Sequence, residues 1–304
     1  MPKYCATICF NIIAYFNTFN KFKLYCYYIF MKKLYKFLGY LTLIAGAISM
    51  LIPFIYMFSL SFMSEGQIFS KTISFFPDPI TTDNYKYVIK NVNILRYFIN
   101  SLFVAIATTI GQVIISAMAG YGFARFNFKY KEQLFFIVLI SMMIPPQVNI
   151  VPLFFVMKQF NWLDTYYALI IPGLFGGFGV FMMRQWFKAM PDDMEASAKI
   201  DGCNNFEVFY KIALPLAIPV IVTLAIFTFI TTWNSFMWPL IVTNSDAIRT
   251  LPIGLANFKG SFREVTDWGA LTAYSVICSI PVIIVFLLGK KYFINDILGG
   301  GIKE

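Results

Sequence analysis

The sequence contains no histidine in its 304 residues. Its absence removes the side chain most used as a general base near neutral pH and the commonest metal ligand. Charge is also scarce: Asp, Glu, Lys and Arg make up 13% of the chain, about half the share of an ordinary soluble domain. Cysteine is limited to Cys5, Cys9, Cys26, Cys203 and Cys278, spaced without any disulfide framework. No GxxxxGK[ST] loop occurs; Gly289 precedes Lys290 and Lys291, but no second glycine stands at the required spacing. No Asp, Glu, Lys or Arg interrupts the long apolar runs described below. Each gap excludes a class. Proton- or ion-coupled pumps place ionisable groups inside the bilayer, ATP-driven motors need the phosphate loop, and no nucleophile–base pair of the Ser–His kind can be assembled. The expectation is a chain that is not an enzyme, has no cofactor, and needs an external motor.

What is present is apolar surface. Hydrophobic residues make up 59% of the chain and the mean hydropathy is +0.70. A membrane-spanning helix needs about 20 mostly apolar residues. Six stretches qualify: Leu38–Phe62, Tyr97–Tyr121, Leu134–Met157, Tyr166–Met183, Ala213–Trp238 and Ala270–Leu288. They are continuous rather than alternating, which favours helices over barrel strands. The predicted fold class is all-α: a polytopic membrane protein with six transmembrane helices. The net charge of +9 does not point to nucleic acid, because its placement follows topology. In a six-span arrangement one side holds 16 of the 24 Lys and Arg residues and the other holds 8. The positive-inside rule then puts both termini in the cytoplasm, with the basic residues meeting lipid headgroups.

Residues 1–30 are aromatic and broken by Asn17, Asn20, Lys21 and Lys23, with apolar pieces too short to span. Met31-Lys32-Lys33 before a full-length apolar run resembles a natural amino terminus, so 1–30 read as a dispensable or mis-annotated extension, or alternatively as an interfacial helix. Residues 31–96 hold the first span and an outer loop, 97–292 a core with five spans and a cytoplasmic loop at 191–215, and 293–304 a cytoplasmic tail. Pro145-Pro146 breaks the third run, with Gln147 and Asn149 beside it. Such a break is tolerated only where protein or water satisfies the backbone, so this helix is expected to face the bundle interior. Gly173 and Gly177 suggest close helix packing. The segment from Val242 to Ala270 is rich in turn residues and is expected to dip or fold at the surface. No internal repeat of the inverted-transporter kind is evident.

One polar stretch stands out, "PDDMEASAKIDGCNNFEVFYKIALPLAIPVI", Pro191 to Ile221. Asp192 with Glu195 has capping-box spacing and predicts a short helix over 193–200. Gly202 suits a left-handed stop. Asn204 with Glu207 repeats the cap spacing and starts a second helix that would place Phe206, Phe209 and Tyr210 on one face. Leu214-Pro215 then bends the chain into the next span. Helices this short are marginal alone. They need a partner surface, or they form a plain loop fixed by their own protein.

The stretch resembles the cytoplasmic-loop signature of permease subunits of binding-protein-dependent ABC importers, EAA followed by three residues, Gly, nine residues and I-x-L-P. Ala198, Gly202, Ile212, Leu214 and Pro215 match; Ala196 stands at the strict Glu position with Glu195 one residue earlier, and Ser197 replaces the first alanine. The stretches Asn100–Phe128, Thr250–Phe258 and the tail KKYFINDILGGGIKE are similar to the carbohydrate-uptake, maltose-transporter-like branch, and the likeness covers 31–304. The resemblance implies a bacterial inner-membrane protein whose partners are a second permease, a cytoplasmic ATPase dimer and an extracytoplasmic solute-binding protein. It implies that Glu195, Ala196, Ser197, Ala198, Asp201, Gly202, Phe206, Phe209, Ile212, Leu214 and Pro215 form a coupling loop docking on the ATPase. It further implies that Gly299, Gly300, Gly301 and Lys303 of the tail contact the ATPase dimer.

Polar residues that could touch a sugar along a pathway are Gln147, Asn149, Trp233 and Asn234, with Asn100, Gln112, Thr232 and Ser235 beside them. Each also has an ordinary reading as an interhelical hydrogen-bonding group, and Trp233 and Trp238 as members of an aromatic belt. The alternative function is a stand-alone secondary carrier or channel, which would require intramembrane charge or internal repeats.

Overall fold

The computed structural model describes residues 3–70, 74–261 and 267–299, with side chains undescribed at 3–27, 29–30, 257–261 and 292–299. Among the described residues every regular element is helical. The chain divides into two units, 1–59 and 60–304. The first is a single helix, α1 (Lys3–Leu60), which runs unbroken through Met31 and carries Pro53. Its last two dozen residues carry no charge.

The second unit begins its main elements with α2 (Asp83–Asn91) and α3 (Ile94–Arg125), followed by α4 (Lys131–Met143), α5 (Ile150–Gln159) and α6 (Gly177–Ala189). Next come α7 (Asp192–Ile200), α8 (Asn205–Val208), α9 (Ile218–Trp233), α10 (Leu251–Ser261) and α11 (Trp268–Gly299). Four described segments are long and apolar enough to cross a membrane: Met31–Leu60, Ile94–Arg125, Tyr166–Ala189 and Trp268–Lys291. Two bent pairs, Lys131–Met143 with Pro146–Gln159 at 96° and Asn205–Leu216 with Ile218–Trp233 at 75°, bring the number to six if each is one span.

The bend at Pro145-Pro146 is sharper than a kink because two adjacent prolines remove two backbone donors at the start of the 3₁₀ turn over Pro146–Asn149. The expectation that this helix faces the interior is corrected within this chain: Gln147, Val148 and Asn149 are exposed, and only Phe135 and Met157 of the two arms are buried. The fifth span also bends, but one turn later than Leu214-Pro215, at Ala217, where Pro219 withholds its amide.

α3 and α6 form the central crossing. A Cβ on Gly120 would sit 2.5 Å from Met183 Cβ and 2.8 Å from the Arg184 amide, and one on Gly179 would overlap Ser116. The backbones approach this closely only because these positions have no side chain. Around the crossing lie two apolar clusters, one of Tyr97, Phe229, Trp233, Leu251 and Tyr274, the other of Tyr121, Met183, Phe187, Ala213 and Leu224.

The segment after Val242 folds inward rather than lying at the surface. Leu251 and Ile253 are buried; the Leu251 amide donates to Ser101 Oγ at 2.7 Å and the Tyr274 hydroxyl to Leu251 O at 3.0 Å. Asn100, buried in α3, donates to Ala247 O at 3.0 Å and Arg249 O at 2.9 Å, and accepts from the Tyr166 hydroxyl at 2.7 Å. That corrects the reading of Asn100 as a pathway residue: its amide is fully used in holding the turn.

The spans are not as free of charge as the runs suggested. Arg184 lies inside the Tyr166–Ala189 segment and is buried. Its guanidinium meets Glu132 Oε1 at 2.7 Å and Phe123 O at 3.2 Å, and sits 3.8 Å over the Phe135 ring. Ion pair, carbonyl and ring together replace the hydration the charge gave up.

Candidate coupling surface

Pro191 ends the preceding span and occupies the N-cap of α7, which therefore starts at Asp192. The predicted capping box at Asp192 is not formed; the helix has no side-chain cap. Glu195 turns the other way, into the bundle, and is 8% exposed. There its carboxylate lies 3.0 Å from Arg125 Nε, at the last turn of α3, and the Tyr121 hydroxyl lies against the same carboxylate. Arg125 also donates to Asp192 Oδ1 and to the Met190 carbonyl. One guanidinium thus holds three points of the loop, donating to Met190 and Asp192 and ion-pairing with Glu195.

The second half of the segment follows its local code. Gly202 has φ +84°, the left-handed state that ends α7. Asn204 Oδ1 accepts from the Phe206 and Glu207 amides at 3.0 and 2.9 Å, and Glu207 Oε2 accepts from the Asn204 amide at 3.0 Å, a complete capping box. Lys211 pairs with Glu207 at 2.8 Å.

The three aromatic residues line one recess together with Val113, Ala117 and Ile221, but they differ in burial. α8 lasts four residues and passes into a π turn over Phe209–Ala213. Phe209 packs with its ring 4.9 Å from Tyr121 and 6.3 Å from Phe187, while Phe206 and Tyr210 stay exposed, 6.3 Å apart.

The segment therefore has two sides. Glu195, Ala198, Val208 and Ala213 are buried against the bundle, with Phe209, Ile212 and Leu214 half-buried. Ala196, Ser197, Asp201, Gly202, Phe206 and Pro215 are exposed. So are Met194 and Ile200, the latter 86% exposed on a helix between polar neighbours. The Ser197 hydroxyl is spent on the Asp193 carbonyl at 2.8 Å. Of the tail residues, Gly299 closes α11, while Gly300, Gly301 and Lys303 lie outside the described residues.

The pathway candidates are scattered. Trp233 is 2% exposed, stacks on Phe229 at 5.8 Å and donates its indole N–H to Cys278 O at 2.9 Å, so it is a core residue here. Trp238 donates to Ala168 O at 2.9 Å. Asn234 is exposed, Gln112 lies where a Cβ on Gly176 would stand, and Thr232 and Ser235 line a cavity with Thr108. Gln147 and Asn149 stand exposed on the broken helix.

Sequence reasoning missed Arg125, Tyr121 and Arg184. A signal was there: Arg125 is a lone cation ending an uncharged run, 67 residues before an acidic cluster on the same side of the predicted topology.

With this geometry in place, comparison with known proteins is informative. Residues 112–298 match the family model described as binding-protein-dependent transport system inner membrane component. The chain is 36% identical over 253 residues to the probable ABC transporter permease protein YurM of Bacillus subtilis, covering 83% of each chain. It is 35% identical over 233 residues to the arabinooligosaccharides transport system permease protein AraQ of Halalkalibacterium halodurans, covering 76% of this chain and 83% of the relative. Its fold superposes with a TM-score of 0.78, at 22% identity and over 86% of this chain and 97% of the other, on a crystal structure of a bacterial ABC transporter that imports the acidic polysaccharide alginate. A buried cationic anchor under an exposed two-helix loop, on an all-helical membrane scaffold, is thus seen in a chain that belongs to the family of binding-protein-dependent transport system inner membrane components.

Proposed function

We propose that this protein is one membrane subunit of an ATP-driven importer for a saccharide, and that residues 191–215 receive the mechanical input of a separate cytoplasmic ATPase. The carrying observation is the two-sided loop: Arg125 ties its inner side to α3, while Met194, Ile200 and Phe206 present apolar surface outward. The saccharide assignment is supported by relatives such as AraQ, and delivery by a binding protein is supported by a similar structure solved with a pentasaccharide-bound periplasmic protein. In this reading both termini are cytoplasmic, in a bacterial inner membrane, and ATP hydrolysis resides on the partner.

The exposed break at Gln147–Asn149 fits the same reading. Irregular backbone at membrane depth needs protein or water around it, and a second permease subunit would supply both, with Gln147, Asn149 and Asn234 near the shared path. No observation on the described residues favours a stand-alone carrier: the buried Arg184 is neutralised by Glu132 and the Phe135 ring.

The test is co-purification of the ATPase with the reconstituted membrane subunits, together with ATP hydrolysis stimulated by the loaded binding protein. Ile200→Asp is expected to abolish both while membrane insertion stays normal. Full retention of stimulated hydrolysis by Ile200→Asp would overturn the docking role of the loop.

A further inference from the structure

Arg184 stands near the end of α6, seven residues before Pro191, about 10 Å along the helix at 1.5 Å per residue. It is buried, and its contacts reach two other helices. Its Nε donates to Phe123 O at 3.2 Å, in the last turn of α3. Its Nη2 meets Glu132 Oε1 at 2.7 Å, in the first turn of α4, and the guanidinium lies 3.8 Å over the Phe135 ring of that helix. Carbonyls in the last turn of a helix have no amide of their own helix to accept from, so Phe123 O takes its donor from α6. Arg125 makes the converse contact. It ends α3 and donates to the Met190 carbonyl, just past α6. Each of these two helices thus ends with an arginine that grips the carbonyl end of the other. Arg125 goes on to Asp192 and Glu195 of α7, and Arg184 goes on to Glu132 of α4.

Adhesion between these helices does not require the buried charge. α3 and α6 already meet through bare backbone at Gly120 and Gly179, and α4 meets α6 at Gly177, where a Cβ would stand 2.7 Å from Met142 Cγ. Phe135 of α4 also packs on Phe123 at 5.6 Å and on Phe181 at 6.5 Å. Apolar burial is non-directional, whereas a guanidinium holds its partners in a fixed fork. Replacing a buried ion pair by apolar groups is often neutral or stabilising, so stability alone gives no reason to bury an arginine here. What Arg184 adds is a fixed relation between α4 and the two helix ends that carry the loop. The pair is one-sided: the Glu132 side chain is 69% exposed and that of Arg184 is 8% exposed. Glu132 therefore stays solvated when its partner is removed.

We propose that Arg184 is a positioning residue for transport: it holds α4 to the ends of α3 and α6, so that movement of the loop reaches the third span and its exposed break at Gln147–Asn149. The inference rests on the coupling reading above. The contacts run from α7 through Glu195 to Arg125, along two residues of α3 to Phe123, and from there through Arg184 and Glu132 to α4. Every step between helices is an ion pair or a hydrogen bond. Without Arg184, α4 keeps its apolar contacts but is free to slide on them, and movement that enters at α7 stops at α3 and α6.

The experiment uses the full transporter assembled in lipid nanodiscs, with the five native cysteines replaced by serine. Spin labels are placed on Gln133→Cys in α4 and Gln185→Cys in α6, both exposed. Their separation is measured without nucleotide and with ATP trapped by orthovanadate. In the wild type the separation should be the same in both states. Arg184→Met keeps apolar bulk and removes the donors. It should co-purify with the ATPase, hydrolyse ATP and melt no lower than the wild type, yet its label separation should shift by several ångströms between the two states. A wild-type separation that changes with nucleotide would overturn the proposal. So would an Arg184→Met separation indifferent to nucleotide, and a lower melting temperature beside it would make Arg184 a structural residue only. Should Arg184→Met fail to assemble, Glu132→Ala breaks the same ion pair at its exposed end and must show the same shift; an unchanged separation there also overturns the proposal. Failure of the docking reading is read separately, in Ile200→Asp with normal stimulated hydrolysis, because the Gln133–Gln185 separation does not depend on which surface receives the ATPase.

Discussion

Arg125 Nε lies 3.0 Å from Glu195 Oε1, and the side chains are 9% and 11% exposed. This pair joins the end of a membrane helix to the middle of α7. Removing one partner of a buried pair leaves the other charge uncompensated, at a cost on the order of 3 kcal/mol. Arg125→Gln is therefore expected to free residues 190–200 from α3. Amide exchange across that segment should rise, and ATP hydrolysis should persist while uptake falls at least tenfold. A double-mutant cycle with Glu195→Gln checks the assignment: a direct pair gives a coupling energy of roughly 0.5–3 kcal/mol, and additive effects would refute it.

Phe206 and Phe209 stand three residues apart but differ in burial, Phe206 exposed and Phe209 half-buried, so their alanine variants should behave differently. Phe209 packs on Tyr121 and Phe187. Its truncation should lower the melting temperature by destabilising the fold by about 2 kcal/mol for a half-buried ring, less than a fully buried one loses. Phe206 is exposed. Its truncation should leave the melting temperature unchanged and weaken ATPase co-purification, by up to about 2 kcal/mol if it is an interface anchor. Equal losses of stability in the two variants would contradict the two-sided loop.

That contrast also shows what could be read from the sequence. Apolar runs, Pro145-Pro146, the left-handed Gly202 and the Asn204–Glu207 cap are local features, and local chemistry dictates each of them. The packing of Phe209 on Tyr121 and Phe187 is a long-range contact, and nothing in a 3.6-residue period announces it. Glu195 offered a cap by spacing, yet a guanidinium 70 residues earlier in sequence competes for it and wins. Asn100 and Trp233 looked like polar groups in need of a function, because their partners, Ala247, Arg249 and Cys278, lie far along the chain. Long-range satisfaction is invisible until the fold brings the partners together.

Asp164, in the turn between α5 and Tyr166, accepts from the Asn244 and Ser245 amides at 2.9 and 3.0 Å. Burial pushes its carboxyl up, but the two amide hydrogen bonds, a contact with the Ser245 side chain and the charge of Arg249 outweigh it, so the pKa lies below the ordinary 3.8. A depressed carboxylate stabilises the fold above its unfolded value and loses that contribution as pH falls through the folded one. The clamp should thus be intact at pH 5–8 and should fail only below about pH 4. Asp164→Asn, which keeps the accepting oxygen but loses the charge, should cost a modest amount of stability at neutral pH and flatten the acid limb of the melting curve. An unchanged acid limb would show that another carboxylate governs it.

Gly202 tests the backbone of the loop separately from its surface. A Cβ there meets nothing within 4 Å, so only the positive φ resists substitution. Gly202→Val should cost at least about 1 kcal/mol in that state and shift the angle between α7 and α8, reducing stimulated ATP hydrolysis with little change in abundance. Gly202→Asn, which tolerates the left-handed region, should retain most activity. If asparagine and valine lose activity equally, the left-handed turn is not what matters at this position.

Orientation in the membrane is the last prediction, and it rests on charge. The loops that carry Arg125, Lys188, Lys199, Lys211 and Lys290 belong to the side with 16 of the 24 basic residues, and such loops stay in the cytoplasm. Arg125 and Asp192 are ion-paired, so the loop after α3 and the loop holding α7 must share a side whichever way the protein inserts. Ile80 lies one crossing away, before α3, and is 71% exposed; Asn127 follows α3 and is exposed. In a background with all five native cysteines replaced by serine, an impermeant maleimide added to intact cells should label Ile80→Cys and leave Asn127→Cys unlabelled until the membrane is broken. The reverse pattern would invert the protein and put the docking loop outside, where no cytoplasmic ATPase could reach it. Labelling of both from outside would mean that α3 does not cross the bilayer.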